Sequence, residues 1–420
     1  MSSDLPVLPH GWHYAALSSC STKNSITYGI VQPGTHDDDG VPIIRVNNFR
    51  GMCLDLTELM HVAPEVESKY SRTRLKGGEV LLTIVGSVGQ VAIAPKSVAG
   101  FNVARAVAVI EPAPHVSPAW IALCLRSPLS QYLLGSRANT TVQITINLKD
   151  LRALPIPIPP DSECRAITSM IGALDDRITL LRETNETLES IAQAIFKSWF
   201  VDFDPVRAKM EGRQPEGMDE ETAALFPDAF EESELGLVPK GWPPARLDSF
   251  LELAYGRALK ADSRRLGEIP VYGSGGLTGW HDTPLVAAPS IIIGRKGTVG
   301  SLYWESRPFF PIDTVFYVKT TRPLTYCYEL LKTLSLSEMN TDAAVPGLNR
   351  ENVYRLLIPY APLEVIAAYH STAQVLRQSI DQNEQRAMTL ELLRDTLLPR
   401  LISGQLRLPE AESLVQDACA

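Results

Sequence analysis

Long apolar runs are missing from this chain: no stretch approaches 18 uninterrupted apolar residues, which argues against a membrane-spanning helix. The opening residues, MSSDLPVLPHGW, have neither a basic start nor an apolar core, so a secretory leader is not expected. Paired cysteines are missing too. Cys20, Cys53, Cys124, Cys164, Cys327 and Cys419 are scattered without a CxxC pair, which speaks against a structural zinc site and for reduced thiols in a cytoplasmic protein. Seven scattered histidines form no HExxH, and no GxxxxGK[ST] phosphate cradle occurs. The acidic-Pro-Pro-aromatic tetrapeptide used by amino-methyltransferases is also absent. Asp313 and Glu305 near Arg295 and Lys296 invite a nuclease reading, but a solvated sheet edge accounts for one such cluster more simply. The expectation is a chain with no catalytic residue, no metal and no cofactor of its own.

Strong basic charge is lacking as well. The net charge is −9 over 420 residues, which by itself disfavours a polyanion as partner. Its distribution points the other way. Residues 1–150 carry 12 basic against 11 acidic side chains and 236–362 carry 14 against 11, whereas 151–235 carry 8 against 18. The acidity sits in the connecting segments, and charge permits nucleic acid without announcing it. The length suffices for two to four domains, each with its own core.

What is present is a duplication. LPHGW (Leu8–Trp12) returns as VPKGW (Val238–Trp242), and Tyr28-Gly29 returns as Tyr255-Gly256. GSVGQV (Gly86–Val91) returns as GTVGSL (Gly297–Leu302), each after an apolar run. INLKDLRALPIPIPP (Ile146–Pro160) aligns with LNRENVYRLLIPYAP (Leu348–Pro362) at a constant shift of 202, with Asn147 on Asn349 and Pro160 on Pro362. The shift falls from 230 at the tryptophans to 211 at the glycine turns, so the second half has shorter loops.

Each half has one plan. Short β-branched runs such as VPIIRV, VLLTIV and TVFYVKT, punctuated by Gly and Pro, predict a mostly-β domain. SPAWIALCLRSPLSQYLL (Ser117–Leu134) and LTYCYELLKTLSL (Leu324–Leu336) read as helices within it. A proline-rich strap and one long helix close each half. The first helix begins near Asp161 as N-cap, runs on Ile167, Ile171, Leu174, Ile178, Leu181, Leu188, Ala192, Ile195 and Trp199, and stops at Asp204-Pro205. Those steps of four and three are a heptad seam with Asn185 in one slot. The second seam runs from Tyr369 through Ala373, Leu376, Ile380, Asn383, Ala387, Leu390, Arg394 and Leu397 to Leu401; it is poorer, with Val375, Met388 and Leu393 expected to broaden it. One such helix alone reads as a packing arm or a dimer zipper. Two of them, one per repeat and each about 55 Å long, fit better as an intramolecular antiparallel pair. Asn185 and Asn383 either fix its register or lie partly exposed.

The order domain, strap, helix, repeated once, resembles the specificity subunit of type I restriction–modification systems. The resemblance rests on LPHGW/VPKGW, YGSGGLTGW (Tyr272–Trp280), GSVG/GTVG, INLKDLRALPIPIPP, ETLESIAQAIFKSWFVDFDPVRAKMEG (Glu186–Gly212) and the acidic GMDEETAALFPDAFEESELG, and it covers nearly the whole chain. It implies an α+β architecture: target recognition domains at 1–160 and 237–362, spacer helices at 161–204 and 363–404, an acidic connector at 205–236 and a tail at 405–420. It implies two pseudo-two-fold-related readers of a split double-stranded DNA sequence, with two methyltransferase subunits docked and translocase/endonuclease subunits able to join. S-adenosylmethionine, and ATP with Mg2+, would belong to those partners. Arg394 on the second seam departs from an even coil. A coiled-coil adaptor for a non-DNA ligand and a self-contained DNA-modifying enzyme are the alternatives; sequence-selective binding by the assembly, and activity of the chain alone, discriminate them.

Candidate DNA contacts are small donors in glycine-bracketed turns: Gly86, Ser87 and Gly89, then Thr298 with Arg295 and Lys296 before it. A plain β-turn is the alternative. Arg137, Asn139, Thr140 and Gln143 in SRANTTVQ are base-reading types, although a solvated loop is also polar. Tyr28 and Tyr255 recur beside glycines, where core packing is the stronger reading, and Arg257 and Ser274 complete the set. Phe196, Trp199, Phe200 and Phe203 end the first helix either as intramolecular packing or as a face for the methyltransferase.

Overall fold

Tyr28-Gly29 and Tyr255-Gly256 recur for a steric reason visible in the computed structural model, which describes residues 5–23, 25–136, 145–339 and 347–419. A Cβ on Gly29 would lie 1.8 Å from the carbonyl oxygen of Val103, and one on Gly256 would lie 2.0 Å from that of Ile312. The same backbone crossing occurs in both halves, and only glycine fits it.

The chain forms two compact units, residues 1–179 with 387–420, and residues 180–386. In the first, a four-stranded antiparallel sheet runs in the order Thr27–Tyr28, Val107–Ile110, Val80–Thr83, Val91–Ile93. Beside it, Val41–Ile44 pairs antiparallel with Met60–Val62 and parallel with Asn102–Val103. The second unit repeats both sheets: Glu252–Tyr255, Val315–Lys319, Ser290–Gly294, Leu302–Glu305, and Ile269–Gly273 between Gly276–His281 and, in parallel, Phe310–Pro311. The central strands read VLLT and SIIIG because both faces are covered, and every residue in them is buried.

The proline straps are strands. Pro155–Ile158 pairs with His13–Ala16 in the first unit, and Leu357–Pro359 with Pro244–Arg246 in the second. Before each strap, an asparagine caps a short helix: Asn147 accepts from the Lys149 amide, and Asn349 from those of Glu351 and Asn352. SPAWIALCLRSPLSQYLL forms two helices, Pro118–Arg126 and Pro128–Ser136, because Pro128 breaks the ladder; LTYCYELLKTLSL gives Leu324–Thr333.

The two long helices, Asp161–Phe200 and Leu363–Ile402, have 40 residues each and pair antiparallel. In the first unit Ile167, Ile171, Leu174 and Ile178 are buried along the seam, as are Leu390, Leu397 and Leu401 opposite. In the second unit Leu181, Ala192, Tyr369, Ala373 and Ile380 are buried. Val375 and Met388, expected to broaden the second seam, are instead 62% and 43% exposed, because they point off the paired face. The first helix also ends earlier than expected. It stops at Phe200; Phe203 adopts a left-handed turn (φ 56°), and Pro205 sits in the first turn of a new helix, Asp204–Met210. Proline starts a helix here rather than stopping one. The acidic connector is folded: Val206 and Phe226 are buried, and Phe230–Ser233 forms a hairpin with Gly236–Pro239.

Candidate nucleic-acid interface

The two glycine turns have one backbone. Gly86 and Gly89 have φ of 80° and 93°, and Gly297 and Gly300 have 83° and 74°, so an L-residue at any of the four is strained. In each turn the second glycine donates back to the preceding strand, Gly89 to Thr83 and Gly300 to Gly294. The residue before the first glycine bridges to the segment leading into the strap, Val85 to Thr145 and Lys296 to Gly347. Gly89 is also pressed from behind by Gln131, whose Nε2 donates to its carbonyl at 2.9 Å. Ser87, Lys296 and Thr298 are exposed at the tips.

Tyr28 and Tyr255 are not core residues. They are 42% and 49% exposed, because the last position of a sheet-edge strand turns each ring outward. Tyr255 packs against Phe316 at 5.0 Å and carries two cations: the guanidinium carbons of Arg295 and Arg350 each lie 5.0 Å from its ring centroid. Arg295 is half-buried and anchored by donating from Nη1 to the Asp313 carbonyl at 2.9 Å. Ser274 borders the same turn: its hydroxyl would lie 3.1 Å from a Cβ on Gly297, and its carbonyl accepts from Ser301 and Tyr303. Arg257 is exposed, its amide bonded to the Pro311 carbonyl. Tyr255, Ser274, Arg295, Lys296 and Thr298 thus surround the sheet end and turn of the second unit.

Arg137, Asn139, Thr140 and Gln143 lie outside the described residues. Glu305 lies on the edge strand but is not solvated: it is 4% exposed, accepts from Tyr272 Oη at 2.9 Å and pairs with Arg307 at 3.0 Å. Burial and this carboxylate raise the Tyr272 pKa well above the phenol range.

Of the two readings of the aromatic residues ending the first helix, intramolecular packing rather than a methyltransferase face describes the phenylalanines. Phe196, Phe200 and Phe203 are 1%, 7% and 7% exposed in the core of the second unit, where Phe196 and Phe200 stack against Tyr326 and Tyr369, and Phe200 and Phe203 against Trp242. Trp199 is half-buried against Phe226 at 5.3 Å. Burying each such ring stabilises by roughly 2–3 kcal/mol, and the three phenylalanines leave no surface for another chain. The unexpected residue of the interface is Arg350. Its position after the capping Asn349 marked it as a helix start, and nothing in the linear sequence placed it over Tyr255.

Residues 23–190 match the family described as type I restriction modification DNA specificity domain. Over 170 residues the chain is 31% identical to the type I restriction enzyme EcoBI specificity subunit of Escherichia coli, covering 40% of this chain and 36% of that protein. It is 25% identical over 410 residues to the HindI specificity subunit of Haemophilus influenzae, covering 80% and 88%. The fold is similar to the crystal structure of the type I restriction–modification S subunit from M. genitalium, with a TM-score of 0.53, 17% identity and 96% and 97% coverage.

Proposed function

We propose that this chain, which belongs to the specificity subunits of type I restriction–modification systems, is the non-catalytic subunit that reads DNA for a modification complex. The target recognition domains are residues 1–160 and 237–362, and the target is bipartite and asymmetric. Two methyltransferase subunits dock on the chain and bring S-adenosylmethionine; translocase/endonuclease subunits, using ATP and Mg2+, join them in the cytoplasm. Among the described residues no helix is long and apolar enough to cross a membrane.

One observation carries this reading: the same turn stands on the same sheet in both units with different side chains presented. The first offers Ser87 above a buried Ile84, the second Thr298 and Lys296 beside a half-buried Arg295. A repeated scaffold with divergent tips suits two readers of unlike half-sites, since groove contacts carry sequence while the scaffold sets position. Exchanging residues 1–150 for another reader, then mapping methylated motifs by long-read sequencing of cells with and without the gene, tests it. One half-site changes on this reading; a change in both overturns it.

A further inference from the structure

Arg350 is a half-buried cation held between two rings. It opens the helix Arg350–Tyr354, whose last residue accepts from the Leu253 amide through Tyr354 Oη at 2.7 Å. Leu253 and Tyr255 belong to one strand, so this bond fixes the helix against the strand that carries the ring. The Arg350 guanidinium lies 5.0 Å from the Tyr255 centroid and 5.6 Å from that of Tyr354. Its Nε is enclosed without a hydrogen-bond partner, while its Nη2 pairs with the Glu351 carboxylate at 3.5 Å, itself 61% exposed. Arg295 sits at the same distance from the same ring, and Lys296 follows it in the exposed turn. Two cations are thus stacked on one half-exposed tyrosine, with a third in the adjoining exposed turn. Among the described residues the one carboxylate paired with them, Glu351, lies at 3.5 Å from Arg350 and is itself exposed, so the cations keep an excess of positive charge that favours an incoming anion.

We infer that Arg350 and Arg295 on Tyr255, with Lys296 in the adjoining turn, form a clamp for a backbone phosphate of the DNA bound by the second unit. The inference rests on the proposed DNA-reading function and adds a residue and a chemical role to it. Phosphate is favoured over a base edge because Arg295 already spends Nη1 on the Asp313 carbonyl, and Arg350 stacks on rings at its helix start. Bidentate reading of guanine needs a fork free to project into the groove. The first unit differs: Ile84 and Leu148 stand where the second unit has Arg295 and Arg350, and Arg105 stands where it has Asp313.

The test uses the full chain assembled with its methyltransferase subunits, a duplex carrying its mapped motif, and an unrelated duplex of equal length. Binding is followed by fluorescence anisotropy across a salt series. Arg350→Ala is expected to weaken both duplexes about tenfold and to lower the salt slope by about one, with the methylated motif unchanged. Arg350→Lys keeps the charge and is expected to restore most of the slope, because a point charge suffices for phosphate. If Arg350→Ala relaxes the motif at one position and lysine fails to rescue, the residue reads a base and the clamp is wrong. If neither variant changes affinity or slope, Arg350 does not touch DNA. If the wild-type assembly selects no sequence at all, the DNA-reading function itself fails, and the clamp with it.

Discussion

Asp175 on the first long helix lies between two guanidinia: it accepts from Arg394 Nη1 on the second long helix at 2.8 Å and from Arg126 Nη1 at 3.1 Å. The polar residue that breaks the second seam thus has a built partner. All three side chains are largely buried, at 9%, 17% and 16% exposure. Removing the shared anion leaves the buried Arg126 without a carboxylate and Arg394 with only the exposed Asp395, 2.8 Å away, which costs far more than losing one member of the outer pair. Asp175→Ala is expected to destabilise by about 3–5 kcal/mol and Arg394→Met by roughly 1 kcal/mol, because Arg126 still neutralises Asp175 in the latter. Urea denaturation of the two variants checks the order; equal losses would show that the triad does not act as a unit.

Asn185 and Asn383 meet in the second unit, with Asn383 Nδ2 donating to Asn185 Oδ1 at 2.9 Å and Asn185 Nδ2 to the Ile380 carbonyl at 3.2 Å. Both are half-buried, so the two alternatives for these slots hold together: paired across the seam and still near solvent. Asn185→Leu alone is expected to cost about 1 kcal/mol, since it strands the partner amide. Asn185→Leu with Asn383→Leu is expected to be neutral or stabilising, at the expense of register. A double-mutant cycle measures this as a coupling of about 1 kcal/mol; strictly additive effects would remove the register role.

The duplication was legible because the recurring residues are the ones the backbone cannot replace. Gly29 and Gly256 pass under a neighbouring carbonyl, Asn147 and Asn349 cap, and four turn glycines hold positive φ. The first seam was legible as well, from Ile167 to Leu181. Beyond Leu181 it was legible only in part: Ala192 is buried as expected, but Leu188, Ile195 and Trp199 are half-buried while Phe196 and Phe200 are buried, because there the helix also packs on its own domain, and a two-helix pattern does not describe a helix with two neighbours. The candidate interface was half legible. Arg295 stood beside its turn in sequence, whereas Arg350 reaches Tyr255 from 95 residues away through tertiary contact.

Glu329 supplies a pH dependence. Burial raises its pKa above the usual carboxylate range, partly offset by Lys332 at 3.1 Å, and its Oε2 has no hydrogen-bond partner. The remaining charged groups acting on it are Glu189, which raises the value further, and Arg377, which lowers it. The folded state therefore holds this proton more tightly than the unfolded chain does. Its contribution is fully present below the ordinary glutamate pKa and is lost as pH rises through the folded value. Glu329→Gln removes the titration, so the stability difference between variant and wild type is expected to move in favour of the variant by about 1 kcal/mol between pH 4 and pH 8. Thermal unfolding at both pH values reads it; a pH-independent difference would mean that Glu329 titrates alike in the folded and unfolded chain.

Under the proposed function the paired helices are the ruler of the DNA target. Seven residues inserted after Arg182 in the first long helix, with seven after Glu384 in the second, add one heptad to each and leave Asn185 and Asn383 on the same side of both insertions. Each helix gains about 10 Å at 1.5 Å per residue, which equals about three base pairs at roughly 3.4 Å each. The expected outcome is a methylated motif whose two half-site sequences are unchanged and whose non-specific spacer is longer by about three. Four-residue insertions at the same places rotate the apolar seam out of phase and are expected to reduce assembly or binding instead. Motif mapping in cells carrying the double insertion decides the matter. Efficient methylation with an unaltered spacer would show that something other than the helices sets the distance, because a longer rod with both readers still engaged has no other way to meet the same two half-sites.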